Sequence, residues 1–179
     1  MLLLKQIGQI VEPELNSVFC RAVAEVESGS IAFVQNGKPT IYFDLEYFTK
    51  NLKHLPNNKM QKVKVFKGHN YQTFKAAQKI DSRNAYMSSY VGLFRIPLTA
   101  AKYAGFSSLF SFMDYLQSGK DAQIIAFKKY ALALGAEEAI NSGNVNDFTV
   151  KYHDSSFLET DYPERLKKAL QNFLTKFTS

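Results

Sequence analysis

The run Ala22-Val23-Ala24-Glu25-Val26-Glu27-Ser28-Gly29-Ser30, followed by Ile31-Ala32-Phe33-Val34-Gln35-Asn36-Gly37-Lys38-Pro39-Thr40-Ile41-Tyr42-Phe43-Asp44, joins an apolar helix to a turn-forming segment. Upstream, Leu15, Val18, Phe19, Ala22, Val23 and Val26 recur at i, i+3, i+4, i+7, i+8 and i+11, one buried stripe of a helix. Pro13 fits the first turn of that helix, and Ser28-Gly29 supplies its stop. Glu27 therefore borders the apolar face at the last turn, while Glu25 points to the solvated side. A carboxyl so placed is partly desolvated, which favours its protonated form. Asn36-Gly37, between Ile31–Val34 and Thr40–Phe43, predicts a hairpin with a type I′ turn, because both residues tolerate positive φ. The hairpin is expected to fold back beside the helix end and to wall a cleft over Glu27.

At these residues the chain resembles the N-acetylmuramidase domain of phage endolysins. That family has an alanine-rich helix ending in Val-Glu-Ser, a Gly-Phe strand, an Asp-Gly-Arg-Pro-like turn and a Phe-Glu-Arg-His segment. The counterparts here are Val26-Glu27-Ser28, Ala32-Phe33, Asn36-Gly37-Lys38-Pro39 and Phe43-Asp44-Leu45-Glu46. The resemblance runs on through Ala76-Ala77, Ala85 to Ile96, Gly105-Phe106 with Phe112 and Phe127, and Phe148 with Tyr152, to Tyr162 and Leu166. It implies an α+β, predominantly helical, lysozyme-like fold with a small β-hairpin beside the catalytic helix, residues 1–179 forming one domain without a separate wall-binding module. It also implies a peptidoglycan hydrolase cutting between N-acetylmuramic acid and N-acetylglucosamine.

The cleft lining departs from the family. Phe-Glu-Arg-His becomes Phe43-Asp44-Leu45-Glu46, Ser-Trp-Gly-Leu-Phe-Gln becomes Tyr90-Val91-Gly92-Leu93-Phe94-Arg95, and Tyr-Asn-Gly becomes Tyr152-His153-Asp154. These changes point to an altered glycan preference. The competing reading is a lysozyme-like module of a virion or secretion machine that binds glycan with little or no turnover.

Glycoside cleavage needs an acid for the leaving oxygen and a second group to complete substitution. Glu27 is the expected acid. Asp44 is the first candidate for the second role, ahead of Glu46 and Asp154, although an aspartate there also suits the cap of a helix starting near Leu45. The resemblance places Ser28, Glu46, Tyr90, Arg95, Tyr152, His153 and Tyr162 among the substrate-binding residues. A tyrosine stacks on sugar rings and an arginine pairs with lactyl or peptide carboxylates.

Composition fits that reading. The chain has 179 residues, 14% of them aromatic and 21% charged, which is globular and long enough for a substantial core. The single cysteine, Cys20, lies on the helix stripe and reads as a small core residue. His54 and His69 lack companions at metal spacing, so neither metal nor cofactor is expected. Met1–Leu4 is too short for a signal-peptide core and no segment has transmembrane length. Action in the periplasm or at the cell wall then requires a holin, a virion, a secretion system or a leader already removed.

The net charge of +6 concentrates at Lys50, Lys53, Lys59, Lys62, Lys64 and Lys67. Such a surface suits anionic wall polymers, and no nucleic-acid motif accompanies it. A monomer with glycan strands as its partner is expected. Helices are predicted over 45–55, 71–80, 81–90, 97–104, 107–117, 121–134, 144–152 and 161–176, with 57–70 a loop in which Val63–Phe66 has strand character.

Overall fold

The computed structural model describes residues 2–52 and 70–177. Residues 57–69 of the expected loop with its Val63–Phe66 segment, His54, His69 and all the named lysines except Lys50 lie outside the described residues.

The central helix α2 (Ser17–Ser28) begins where Asn16 caps it, the Oδ1 accepting from Val18 N at 3.0 Å and Phe19 N at 3.1 Å. Pro13 therefore falls in the preceding turn, not in the first helical turn as the sequence suggested. A helix absent from the sequence reading, α1 (Leu2–Val11), leads into that turn and buries Ile7 and Val11. At the other end Gly29 takes φ 63, and Ser30 N donates back to Ala24 O at 3.1 Å, closing the helix as a left-handed cap. Cys20 is fully buried, and desolvation pushes its thiol up to about 12, as befits a small core residue.

The hairpin differs from expectation in turn and in pairing. Gly37 N donates to Val34 O at 2.9 Å and Val34 N to Lys38 O at 2.8 Å. Gly37 takes φ 72 while Asn36 is not left-handed, so a type I turn followed by a glycine bulge replaces the type I′ turn. Among the described residues, only Phe33 and Pro39 form a bridge across it. Pro39 is tolerated at this position, because the pair is bonded through its neighbours, Thr40 N donating to Ala32 O at 3.0 Å. β1 (Ile41–Phe43) instead pairs antiparallel with β2 (Ser89–Val91), Tyr42 facing Tyr90, and β2 pairs with β3 (Ile96–Pro97).

α3 (Leu45–Lys50), α4 (Tyr71–Gln78) and α5 (Ser82–Met87) pack around this sheet. The helix expected to reach Tyr90 thus stops at Met87. Ser88 and Ser89 fold their hydroxyls back onto Asn84 O and Ala85 O, both at 2.8 Å, before the chain extends into β2. Residues 98–102 form a 3-10 turn rather than the expected α-helix. α6 (Leu109–Gln117), α7 (Lys120–Ala133), α8 (Glu137–Ser142), α9 (Val145–Tyr152) and α10 (Tyr162–Phe177) complete the helical body, with α10 lying along α2. The sequence reading had no counterpart for α8 or for the 3-10 turn Ser155–Glu159. None of the described helices is long and apolar enough to cross a membrane.

One buried polar side chain locks the sheet to the helices. Gln123 on α7 accepts from Leu93 N at 2.9 Å and donates to Leu116 O at 3.1 Å. Phe94 beside it stacks on Phe127 at 3.9 Å. Gly92 permits this approach, since at φ 79 a Cβ there would lie 2.3 Å from Gln123 Oε1. Gly92→Ala is therefore expected to cost roughly 2–4 kcal/mol, combining positive-φ strain with overpacking. A lower urea midpoint at unchanged slope is the measurement.

Candidate active site

α2 delivers Glu27 to the floor of a cleft of about 540 Å³, where the residue is only 3% exposed. Its Oε1 accepts from Tyr162 OH at 2.7 Å and lies 2.9 Å from His153 Nε2. Tyr162 opens α10 and His153 follows α9, so two separate helices converge on one carboxylate oxygen. Burial and then the neighbouring Glu27 carboxylate hold the Tyr162 phenol well above its ordinary pKa, keeping it a donor. His153 stacks flat on Phe157, 4.2 Å away at 4°, and meets Tyr152 and Tyr162 edge-on.

The sheet forms the other wall. Tyr42 and Tyr90, cross-strand partners, pack edge to face at 6.0 Å. Asp44 follows β1 and lines the cleft on this side. Its carboxylate also accepts from Tyr47 N at 2.8 Å, capping α3 as the sequence allowed. Burial, then Asp44 and Tyr42, raise the Tyr90 phenol. Arg95 adopts a left-handed φ of 46 and lays its guanidinium over the Tyr42 ring at 5.0 Å.

Of the residues singled out in the sequence, the cleft brings together Glu27, Asp44, Tyr90, Arg95, Tyr152, His153 and Tyr162. Tyr152 turns its hydroxyl away, donating to Phe94 O at 2.7 Å. Two others stand apart. Ser28 Oγ donates to Leu93 O at 2.8 Å, pinning α2 to the turn before Phe94. Glu46 is solvent-exposed and paired with Lys50 at 2.8 Å, which holds its carboxyl below the usual range. Asp154 lies at the cleft edge with its carboxylate accepting from Ser156 Oγ at 2.5 Å and from Ser156 N at 2.8 Å, which lowers its pKa.

Tyr42, Tyr130, Phe157 and Arg165 also line the cleft and were not anticipated. Two of them carried a signal. Tyr42 is two residues before Asp44 in a strand segment, and Arg165 is three after Tyr162 on a helix, spacings that share a face. Among the described residues no group of three or more His, Cys, Asp or Glu side chains is placed to hold a metal.

The cleft thus gathers a buried carboxylic side chain, a second carboxylate and several tyrosines on facing walls. The N-acetylmuramidase family model matches residues 17–174, and the chain belongs to that family of peptidoglycan hydrolases. The fold is shared with the crystal structure of the Burkholderia AP3 phage endolysin, at a TM-score of 0.72 and 22% identity over 97% of this chain and 71% of that one. No curated protein matches the chain.

Proposed function

We propose that this chain hydrolyses the bond between N-acetylmuramic acid and N-acetylglucosamine, with Glu27 as general acid. The observation that carries the reading is the buried Glu27 carboxylate at the cleft floor, held through one oxygen by Tyr162 and His153. A proton on the other oxygen is available to the leaving glycosidic oxygen. Asp44 on the facing wall positions water or stabilises positive charge at the anomeric carbon. Tyr42 and Tyr90 offer ring faces to sugar. Residues 1–179 act as one N-acetylmuramidase domain, a monomer whose partner is the glycan strand and not nucleic acid. A holin, a virion, a secretion machine or a leader already removed brings it to the wall.

Mass analysis of digested peptidoglycan tests the bond. Hydrolysis is expected to leave muramic acid at reducing ends that borohydride labels. Anhydromuramic ends would identify a lytic transglycosylase, and peptides released without glycan cleavage would exclude a glycosidase.

Arg95 gives the proposed cleft its anion preference. Its guanidinium is held over Tyr42, on the cleft wall, where it suits a lactyl or stem-peptide carboxylate. KM on peptidoglycan is expected to rise several-fold between low and high salt, because screening weakens that attraction. Arg95→Gln should flatten the dependence and shift preference toward ordinary glycan. An unchanged salt profile would place Arg95 outside the binding surface.

A further inference from the structure

We infer that His153 is a positioning residue for Glu27, clamping Oε1 together with Tyr162 so that the acidic proton stays on Oε2. The inference rests on Glu27 being the acid. Oε1 accepts from Tyr162 OH at 2.7 Å and lies 2.9 Å from His153 Nε2, which donates to it in the Nε2–H tautomer. Oε2 has no hydrogen-bond partner among the described residues and is not sealed from the cleft. A carboxyl whose one oxygen already accepts two hydrogen bonds carries its proton most readily on the other, the one turned to substrate.

The surroundings of the ring argue against direct sugar contact. One face of His153 is covered by Phe157, and Tyr152 and Tyr162 press on it edge-on. The side chain is 13% exposed. A ring packed in this way presents little surface to stack on a pyranose, whereas its Nε2 is aimed at Glu27. The sequence resemblance had grouped His153 with the sugar-binding residues.

The clamp has a pH consequence with a definite sign. A donor to a carboxylate favours the ionised form. Removing it lets the acid keep its proton to higher pH, so the basic limb of kcat/KM moves up. Among the described residues, the charged and titratable groups around His153 are Glu27 from α2, Tyr162 and Arg165 from α10, Tyr152 from α9, Asp154 next in sequence, and Tyr130 from α7, which packs on Tyr152.

The test compares peptidoglycan cleavage by wild type, His153→Phe, His153→Gln, Tyr162→Phe and Glu27→Gln, with melting curves for each. His153→Phe keeps a ring against Phe157 and removes the donor. It is expected to lose about thirtyfold in kcat with KM within threefold, and its basic limb to move to higher pH. His153→Gln presents an amide N–H toward Oε1 and is expected to restore most of kcat and the wild-type limb. Should His153→Phe fail to fold, Tyr162→Phe reads the same clamp from its other arm and is expected to change kcat and the basic limb in the same direction. A raised KM at preserved kcat, or an unmoved basic limb in the donor-less variants, overturns the clamp. If Glu27→Gln keeps full activity, the acid assignment itself falls. An inactive Glu27→Gln beside unaffected His153 and Tyr162 variants removes only this inference.

Discussion

Glu27→Gln is expected to reduce peptidoglycan cleavage by about a thousandfold, within the typical range for loss of a general acid. The substitution preserves shape. The amide oxygen of the introduced glutamine can still accept from Tyr162 and His153, so the two donors that converge on this position are not left unpaired in a buried site. The melting temperature and circular dichroism should therefore stay near wild type while turnover disappears. Glu27→Ala makes the useful contrast, because it removes the acceptor and is expected to lower both activity and stability. Wild-type-like release of muropeptides by Glu27→Gln would eliminate the proposed mechanism.

The helix carrying Glu27 could be read from the sequence because its signals are local. A stripe at helical spacing and a Ser-Gly stop lie within a few turns of the residue they position, whereas the start was misplaced at Pro13 because the Asn16 cap was not read. β2 was not legible. Ser89–Val91 is three residues long, continues directly from α5, and becomes a strand only because Ile41–Phe43 pairs with it from far upstream. The hairpin that Asn36-Gly37 announced does close, through Val34 N to Lys38 O and Thr40 N to Ala32 O, but β1 then leaves it to pair with β2. Helix α1 was obscured because its apolar positions pack against α2 and α7, contacts that its own short sequence does not reveal.

The site divides along the same line. Glu27 follows from local pattern, Tyr42 was not anticipated, and the resemblance pointed to Tyr90, Tyr152, His153 and Tyr162 as cleft residues. Their geometry did not follow, since His153 and Tyr162 meet Glu27 across separations of 126 and 135 residues. Ser28 shows the converse. Its position next to Glu27 suggested the cleft, but the helical rotation of about 100° per residue turns it toward Leu93.

The second large effect is expected at Asp44, and the choice of substitution decides what the experiment means. The residue lines the cleft and caps α3 through Tyr47 N, so removing the side chain confounds catalysis with folding. Asparagine separates the two. It is as good an N-cap as aspartate and keeps an oxygen for Tyr47 N, but it carries no charge to stabilise an oxocarbenium-like transition state or to draw a proton from water. Asp44→Asn is thus expected to melt near wild type and to lose about a hundredfold in kcat, a scale typical of removing one preorganised electrostatic contact. Asp44→Ala should lose activity similarly and also about 1 kcal/mol of stability from the missing cap. Normal turnover by Asp44→Asn would reduce this residue to its capping role. Glu46 could not readily take its place, because it is exposed and paired with Lys50 away from the cleft. The second group would then have to be Asp154 at the cleft edge or a water held without any carboxylate, and Asp154→Asn would distinguish these by whether cleavage survives.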